Sequence, residues 1–139
     1  MLLHIVARGR IGRGPEAELV DRYAKRIAWP LKLTELPDQG GKVPPRDPDG
    51  VTVALDERGE QATSRELAAR LERVRGSGGA GLTLCIGGAD GHSDALRARA
   101  DYLWSLSRLT LPHRLARVVV LEQIYRATSI LAGAPYHHD

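Results

Sequence analysis

Short apolar runs and amphipathic stretches alternate along this chain. The run Leu2–Arg8 is apolar and partly β-branched, which predicts a buried strand. Pro15 predicts the start of a helix, because proline suits the first helical position. Leu31–Leu36 partly alternates between apolar and polar residues and predicts a second strand. The chain therefore begins with a strand, a helix and a strand.

The same alternation continues towards the C-terminus. Residues 51–56 predict a third strand, and residues 82–88 predict a fourth that ends in a glycine turn. Residues 104–111 have alternating character and predict a fifth strand, which Pro112 interrupts. The sequence thus predicts five short strands.

Helix signals lie between these strands. Thr63 and Glu66 have the spacing of a capping box, which predicts a helix after the third strand. Ser93 is placed to cap a short helix over residues 93–103, and a long apolar helix is predicted over about 114–131. Residues 37–50 hold four prolines and three glycines, so we expect an irregular surface loop there.

The interleaving of strands and helices determines the predicted fold class. Most of the strands are apolar on both faces, as strands of a parallel sheet covered on two sides usually are. We therefore predict an α/β fold with a mainly parallel sheet and helices on both faces. No repeat or linker interrupts the pattern, which predicts a single domain over residues 1–139.

The amino-acid composition indicates where in the cell the protein is located, but says little about which ligand it binds. Cys85, the single cysteine, lies in an apolar run and is expected to be buried and inert in a reducing cytosol. No segment resembles a signal peptide or reaches the ~20 apolar residues of a membrane span, so we expect a cytoplasmic protein without a membrane partner. The net charge of +3 comes mostly from arginines, which either a GC-rich genome or phosphate contacts would explain.

Ligands of open α/β sheets bind beyond the carboxyl ends of the strands. After the first strand, GRIGRG has the order GxxGxG, which differs from the dinucleotide-binding GxGxxG. A solvated arginine turn and a phosphate contact both remain open for it. After the fourth strand, IGGADG allows either a tight turn or close approach of the backbone to a ligand.

Polar residues interrupt the long final helix and the tail. Glu122 and Arg126 stand at i and i+4, which is compatible with an ordinary ion pair and with a functional site. His113, His137 and His138 suit acid–base or phosphate-contact roles. No second ligand stands at zinc-like spacing from His113, so we expect no metal.

Four segments, IGGADG, WSLSRLTLPH, EQIYRATSI and PYHHD, together resemble one family. They resemble the RlmH family, small bacterial methyltransferases of the SPOUT class that methylate N3 of pseudouridine 1915 in 23S ribosomal RNA. The resemblance covers nearly the whole chain. It implies S-adenosylmethionine as methyl donor, a C-terminal trefoil knot, a homodimer with a shared active site, and a ribosome or large subunit as partner.

The resemblance also implies two groups of site residues. Residues at the end of the third strand and in the last parts of the fourth and fifth would line the pocket for the methyl donor: Leu55, Gly87, Gly88, Leu106, Ser107, Arg108, Leu109, Thr110 and Leu111. Residues of the final helix and tail would contact RNA or take part in catalysis: His113, Glu122, Tyr125, Arg126, Tyr136 and His137. His137 or His113 would contact the target base. Arg126 would hold phosphate and orient Glu122.

The chain departs from the family pattern at two places. His138 stands where the family usually has a basic residue, and the 37–50 loop replaces a helix that the family often has. Two other functions therefore stay open. One is a catalytically degenerate module that binds RNA or ribosomes, and the other is a nucleotide-binding protein of flavodoxin-like type.

Overall fold

Five strands form one sheet in a computed structural model that describes residues 1–41, 44–79, 81–88 and 92–139. The strands are β1 (Leu2–Arg8), β2 (Leu31–Leu36), β3 (Val51–Gln61), β4 (Gly81–Ile86) and β5 (Tyr102–Ser105). Their order is β2-β1-β4-β3-β5, and each neighbouring pair is parallel. The predicted parallel α/β sheet is confirmed.

Four helices accompany the strands in the described part of the chain: α1 (Pro15–Arg26), α2 (Ser64–Gly76), α3 (Asp94–Arg99) and α4 (His113–Leu131). The predicted capping box is present, because the Thr63 side chain accepts from the Glu66 amide and the Glu66 side chain accepts from the Thr63 amide. Ser93 caps α3 through the amide of Leu96. Local capping chemistry therefore fixes where α2 and α3 begin.

The two faces of the sheet are covered unequally. On one face, Leu3 and Ile5 of β1 are fully buried in a core with Val20 of α1, Leu71 of α2 and Leu121 of α4. Helix α4 packs between α1 and α2 on this face. Strand residues alternate between faces. Of the helices that the structure describes, only α3 covers the other face, where its Leu96 packs on a small cluster.

That smaller cluster confirms the prediction for Cys85. Its buried members are Val6, Leu36 and Cys85, and burial raises the pKa of the Cys85 thiol, as expected for an inert side chain. His4 points to the same face and shares a 2.8 Å hydrogen bond with the Thr34 hydroxyl. Burial and then Lys32 lower the pKa of His4, so it is a neutral structural histidine.

Strand β5 differs most from its prediction, which was wrong at both ends. It covers Tyr102–Ser105, whereas residues 104–111 were expected. Asp101 sets the early start, because its amide donates to the Thr52 carbonyl and its carboxylate accepts from the Thr52 amide, both at 2.8 Å. This contact with β3 is distant in sequence. Residues 106–111 are irregular and free to face a ligand.

Other boundaries shift by smaller amounts. Strand β3 continues to Gln61 because its last residues pair with β5, and β4 ends at Ile86, before Gly87 and Gly88. Helix α3 ends at Arg99, because Ala100 is extended. Residues 37–41 and 44–50 are irregular, as predicted. Residues 42–43 of that loop and residues 89–91 of the IGGADG motif lie outside the described residues.

Strand β3 contacts β5 twice. Leu55 and Glu60 are both register partners of Trp104, so the chain between them, residues 56–59, leaves the ladder and returns to it. Gly59 makes the return possible, because a Cβ there would lie 2.5 Å from the Leu103 carbonyl. The loop over residues 56–59 therefore lies tightly against β5.

Candidate active site

A cavity of about 630 Å³, named here the carboxyl-edge cavity, opens beyond the ends of the parallel strands. This volume lies within the ~300–1,000 Å³ that is usual for small-molecule sites. Its wall comes from residues 55–58 within β3, from the segments after β4 and β5, and from the start of α4. The predicted residues that line it are Leu55, Gly87, Gly88, Leu106, Ser107, Leu109, Thr110, Leu111 and His113.

Arg108 is the predicted donor-pocket residue that does not line this cavity; its side chain is exposed. The loop around it is shaped by two serines. Ser105 donates its hydroxyl to the Ser107 carbonyl at 3.0 Å, and the Ser107 hydroxyl accepts from the Leu109 amide at 2.9 Å. These local bonds turn the chain away from β5 and hold its backbone at the cavity.

A polar wall of the cavity was not assigned from the sequence. The Asp56 carboxylate, 8 % exposed, accepts from Arg97 Nε at 2.6 Å and from the Arg58 amide at 2.9 Å. Burial alone would raise the pKa of Asp56, but these two hydrogen bonds and the arginine charges bring it below its ordinary value. Asp56 is therefore a buried carboxylate that stays ionised.

His92 belongs to the same wall. Its Nε2 lies 3.0 Å from the Cys85 carbonyl, which only accepts, so Nε2 carries a proton. Burial lowers the pKa of His92, which keeps the ring neutral near pH 7. Asp56 is the last residue of the predicted third strand, so its position at the strand end could have identified it. His92 and Arg97 carry no comparable sequence signal.

His113 lies where α4 meets the loop after β1. A Cβ on Gly9, whose φ is +84°, would lie 3.9 Å from His113 Nε2. Arg117, one turn further along α4 and only 3 % exposed, donates to the carbonyls of Arg8 at 3.2 Å and Gly9 at 2.9 Å. Helix α4 is thereby fixed to the end of β1, with His113 at the cavity.

The other predicted catalytic residues lie together at the far end of α4 and in the tail. We call Glu122, Arg126, Tyr136 and His137 the tail cluster. The Glu122 carboxylate accepts from Arg126 at 2.7 Å and from the Tyr136 hydroxyl at 3.0 Å. The Arg126 guanidinium also lies 4.6 Å from the centre of the Tyr136 ring. Glu122 and Arg126 are thus an ion pair that belongs to a larger network.

Tyr125 connects the tail cluster to the body of the protein. Its ring centre lies 4.6 Å from that of Tyr136 and 6.1 Å from that of Tyr23 on α1. Burial, and then the hydrogen bond to Glu122, raises the pKa of Tyr136 to about 12. Tyr136 therefore stays protonated at neutral pH and acts as a hydrogen-bond donor.

The hydrogen bonds of His137 define its tautomer. Its Nδ1 lies 3.1 Å from an Arg126 nitrogen, and because arginine only donates, Nδ1 must accept. The proton is then on Nε2, which donates to Asp139 at 3.0 Å. Arg65 of α2 donates twice to the Asp139 carboxylate, at 2.7 and 2.8 Å. The tail is therefore attached to α2 through its last residue.

The structure separates the predicted site residues into two places. Glu122 follows His113 by nine positions in the helix, and an α-helix rises ~1.5 Å per residue, so these positions are about 14 Å apart along α4. His113 belongs to the carboxyl-edge cavity, whereas the tail cluster lies beyond it. Within this chain, the two groups do not form one site.

Neither a metal site nor a membrane span is found among the residues that the structure describes. Among the residues that the structure describes, no three His, Cys, Asp or Glu side chains are grouped closely enough to hold a metal ion. None of the described helices is both long and apolar enough to cross a bilayer.

Sequence comparisons assign the whole chain to one group of proteins. Residues 1–137 match the family described as "Predicted SPOUT methyltransferase". The "Ribosomal RNA large subunit methyltransferase H" of Rhizorhabdus wittichii is 59 % identical over 139 residues, which is 100 % of this chain and 99 % of that protein. The protein of the same name from Novosphingobium aromaticivorans is also 59 % identical, with the same coverage of each chain.

Solved structures of low sequence identity share the fold. A probable methylase family protein from Haemophilus influenzae has a TM-score of 0.61 at 12 % identity, covering 99 % of this chain and 70 % of that one. The SpoU methyltransferase AviRb from Streptomyces viridochromogenes, solved with its cofactor AdoMet, has a TM-score of 0.52 at 14 % identity. That match covers 92 % of this chain and 57 % of AviRb.

Proposed function

The chain belongs to the SPOUT methyltransferase family, and we propose that it transfers a methyl group from S-adenosylmethionine to large-subunit ribosomal RNA. The observation that carries this proposal is the carboxyl-edge cavity, which the end of β4 and the loop after β5 enclose where a donor would bind. Two relatives that are 59 % identical over the full chain bear the name of such an enzyme. The proposed target is N3 of pseudouridine 1915 in 23S rRNA.

The residues present fit the proposed methyl donor. The cavity is large enough for a nucleoside and is lined by glycine backbone and by apolar side chains such as Leu55 and Leu111. We propose that Gly87, Gly88 and residues 106–111 hold the donor mainly through backbone atoms, with the Arg108 side chain outside. When bound, S-adenosylmethionine supplies an electrophilic methyl group on a sulfonium sulfur.

The reaction places two demands on the chain's own residues. They must align the target nitrogen with the methyl group, and such positioning contributes up to ~7–11 kcal/mol. They must also accept the proton that N3 loses, which contributes ~10²–10⁴-fold in rate. Among the candidate bases, His113 lines the cavity, and we propose that it or His137 contacts the base. Arg126 would hold phosphate and orient Glu122, to which it donates a hydrogen bond.

A homodimer would bring the two predicted groups together. The tail cluster is about 14 Å or more from His113 along α4, so one chain alone leaves the carboxyl-edge cavity without tail residues. Two leucines beside the cavity, Leu109 and Leu115, are 74 % and 44 % exposed, as residues covered by a partner would be. We propose that the tail cluster of one copy completes the cavity of the other.

We also propose that the C-terminal part of the chain is threaded into a trefoil knot. The strand order β2-β1-β4-β3-β5 supports this, because the chain crosses from β4 to β5 at the far edge, beyond β3, and then returns through α4, which packs between α1 and α2. Residues 1–139 would then form one domain, acting in the cytoplasm, where ribosomes are found.

The test is methyl transfer to ribosomal particles that lack this modification. With radiolabelled S-adenosylmethionine, we expect label in 23S rRNA of assembled particles, little label in a free RNA stem-loop, and a methylated pseudouridine by mass spectrometry. Thr110→Trp should fill the cavity and lower donor affinity by more than about 100-fold, whereas Thr110→Ser should bind normally. Donor binding without transfer would instead indicate a degenerate RNA-binding module, and no donor binding would refute the proposal.

A further inference from the structure

Exposed arginines lie on the two segments that meet at His113, one after β1 and one at the start of α4. Arg10 and Arg13 lie in the loop after β1, and Arg114 lies in the first turn of α4. We propose that these three residues, which we call the arginine rim, bind phosphate groups of the RNA substrate. The inference rests on the proposed function and adds to it the surface that receives the RNA.

The arginine rim is available to a ligand. Within residues 1–41, 44–79, 81–88 and 92–139, its guanidinium groups make no hydrogen bond or ion pair. Other arginines of the same edge are engaged: Arg8 donates to the carbonyls of Pro37 and Gly40, and Arg58 contacts Asp56. Guanidinium groups that are exposed and unpaired suit phosphate, which they bind through parallel N–H bonds.

Two contacts place the arginine rim beside the cavity. Gly9, which precedes Arg10, approaches His113, since a Cβ on Gly9 would lie 3.9 Å from His113 Nε2. His113 lines the cavity and precedes Arg114 in α4. A base that enters the cavity would therefore have its neighbouring phosphates close to the rim.

The loop that carries Arg10 is held in place on both sides of that residue. Arg117 donates to the Gly9 carbonyl at 2.9 Å and to Glu35 at 2.6 Å. Glu35 in turn accepts from the Ile11 amide at 2.8 Å. Burying a cation such as Arg117 is costly unless acceptors surround it, and here those acceptors belong to or hold this loop. A fixed loop loses less entropy when phosphate binds.

The charge balance of this edge is mildly positive. Acidic side chains also lie there: Glu16, Asp38 and Glu57. Glu35 and Asp56 bring the acids of this edge to five, and the arginine rim with Arg8, Arg58, Arg97, Arg108 and Arg117 gives eight cations. A small excess of positive charge predicts that RNA binding depends on individual arginine contacts, which single substitutions will reveal.

The experiment measures binding of large ribosomal subunits at several salt concentrations, for Arg10→Gln/Arg13→Gln and for Arg114→Gln. The slope of log affinity against log salt should fall by about 0.7–0.9 for each phosphate contact that is lost. The double variant should bind roughly tenfold more weakly, because exposed charged contacts each contribute a few-fold. Donor affinity and oligomeric state should not change.

Arg73→Gln is the matched control. Arg73 is exposed in the last turn of α2, on the side of the sheet where β4 begins, and its substitution removes the same charge. We expect its salt slope to equal that of the unmodified protein. Rim variants with that same slope would overturn the inference, as would a loss of donor affinity or dissociation into monomers. Because the readout is binding, it stands apart from the transfer assay that tests the proposed function.

Discussion

The carboxyl-edge cavity and the tail cluster both include residues of helix α4, but the cavity is lined largely by backbone and the tail cluster consists of side chains. The cavity is made of strand ends, glycine backbone and a loop that Ser105 and Ser107 shape through local hydrogen bonds. The tail cluster is a network of charged and aromatic side chains. Backbone can hold a ligand in a fixed place, whereas side chains supply proton and phosphate contacts. In the proposed function, the cavity holds the methyl donor and the tail cluster supplies proton and phosphate contacts.

The largest effect is expected from a substitution in the tail cluster that changes methyl transfer but not donor binding. His137→Ala should lower methyl transfer by about 100-fold or more, because loss of an acid–base group typically costs 10²–10⁴-fold. Donor affinity measured by calorimetry should be unchanged, since His137 lies in the tail cluster, outside the cavity. His138→Ala, at the exposed neighbouring position, is the control and should retain most activity. Full turnover by His137→Ala would show that the tail cluster has no role in methyl transfer.

An intermediate effect is expected from the polar wall of the cavity. Asp56→Asn should lower the free energy of unfolding by about 2 kcal/mol, because it weakens hydrogen bonds between a buried carboxylate and Arg97 and the Arg58 amide. Asp21→Asn, which breaks an exposed i,i+4 pair with Lys25, should cost less than about 0.5 kcal/mol in the same urea titration.

The stability effect of Asp56 should also depend on pH. The pKa of Asp56 is lower in the folded protein than its ordinary value. Its contribution is therefore present above the unfolded pKa, near ~3.9, and is lost as pH falls through the folded value. The difference between the two proteins should shrink below about pH 4. A constant difference down to pH 2 would mean that the Asp56 charge does not matter.

The smallest effect is expected at the end of the tail. Asp139→Asn should lower turnover only a few-fold, because the Arg65–Asp139 ion pair is exposed. The double hydrogen bond from Arg65 lowers the pKa of Asp139 to about 2, so tail docking should persist at pH 5 and be lost between about pH 4 and pH 2. NMR shifts of His137 would report this, and Arg65→Asp/Asp139→Arg should restore docking.

Features that depend on neighbouring residues, such as helix starts and the type of sheet, were predicted correctly from the sequence. The Thr63–Glu66 capping box and Pro15 marked two helix starts, and the order of apolar runs gave the parallel sheet. The motif resemblance placed the cavity residues around one pocket, because those segments follow strand ends. Only the side chain of Arg108 stayed outside the lining.

What the sequence did not predict depends on contacts between distant residues. The limits of β5 follow from the reciprocal bonds between Asp101 and Thr52, which are 49 residues apart. Arg117 meets Glu35 across 82 residues, and Arg65 meets Asp139 across 74. Such pairs leave no signal in the periodicity or the helix caps of the sequence. The attachment of the loop after β1 and that of the C-terminal tail were therefore not predicted.

The double contact between β3 and β5 has a consequence for how the protein is made. Residues 102–105 are synthesised late, yet they pair with Val53 and Ala54 and also with Gln61, on either side of the turn at Gly59. Until a ribosome releases them, a nascent chain has an open sheet edge and an unfinished cavity. Folding must therefore wait for the C-terminal segment, and long-range pairing of this kind is slow.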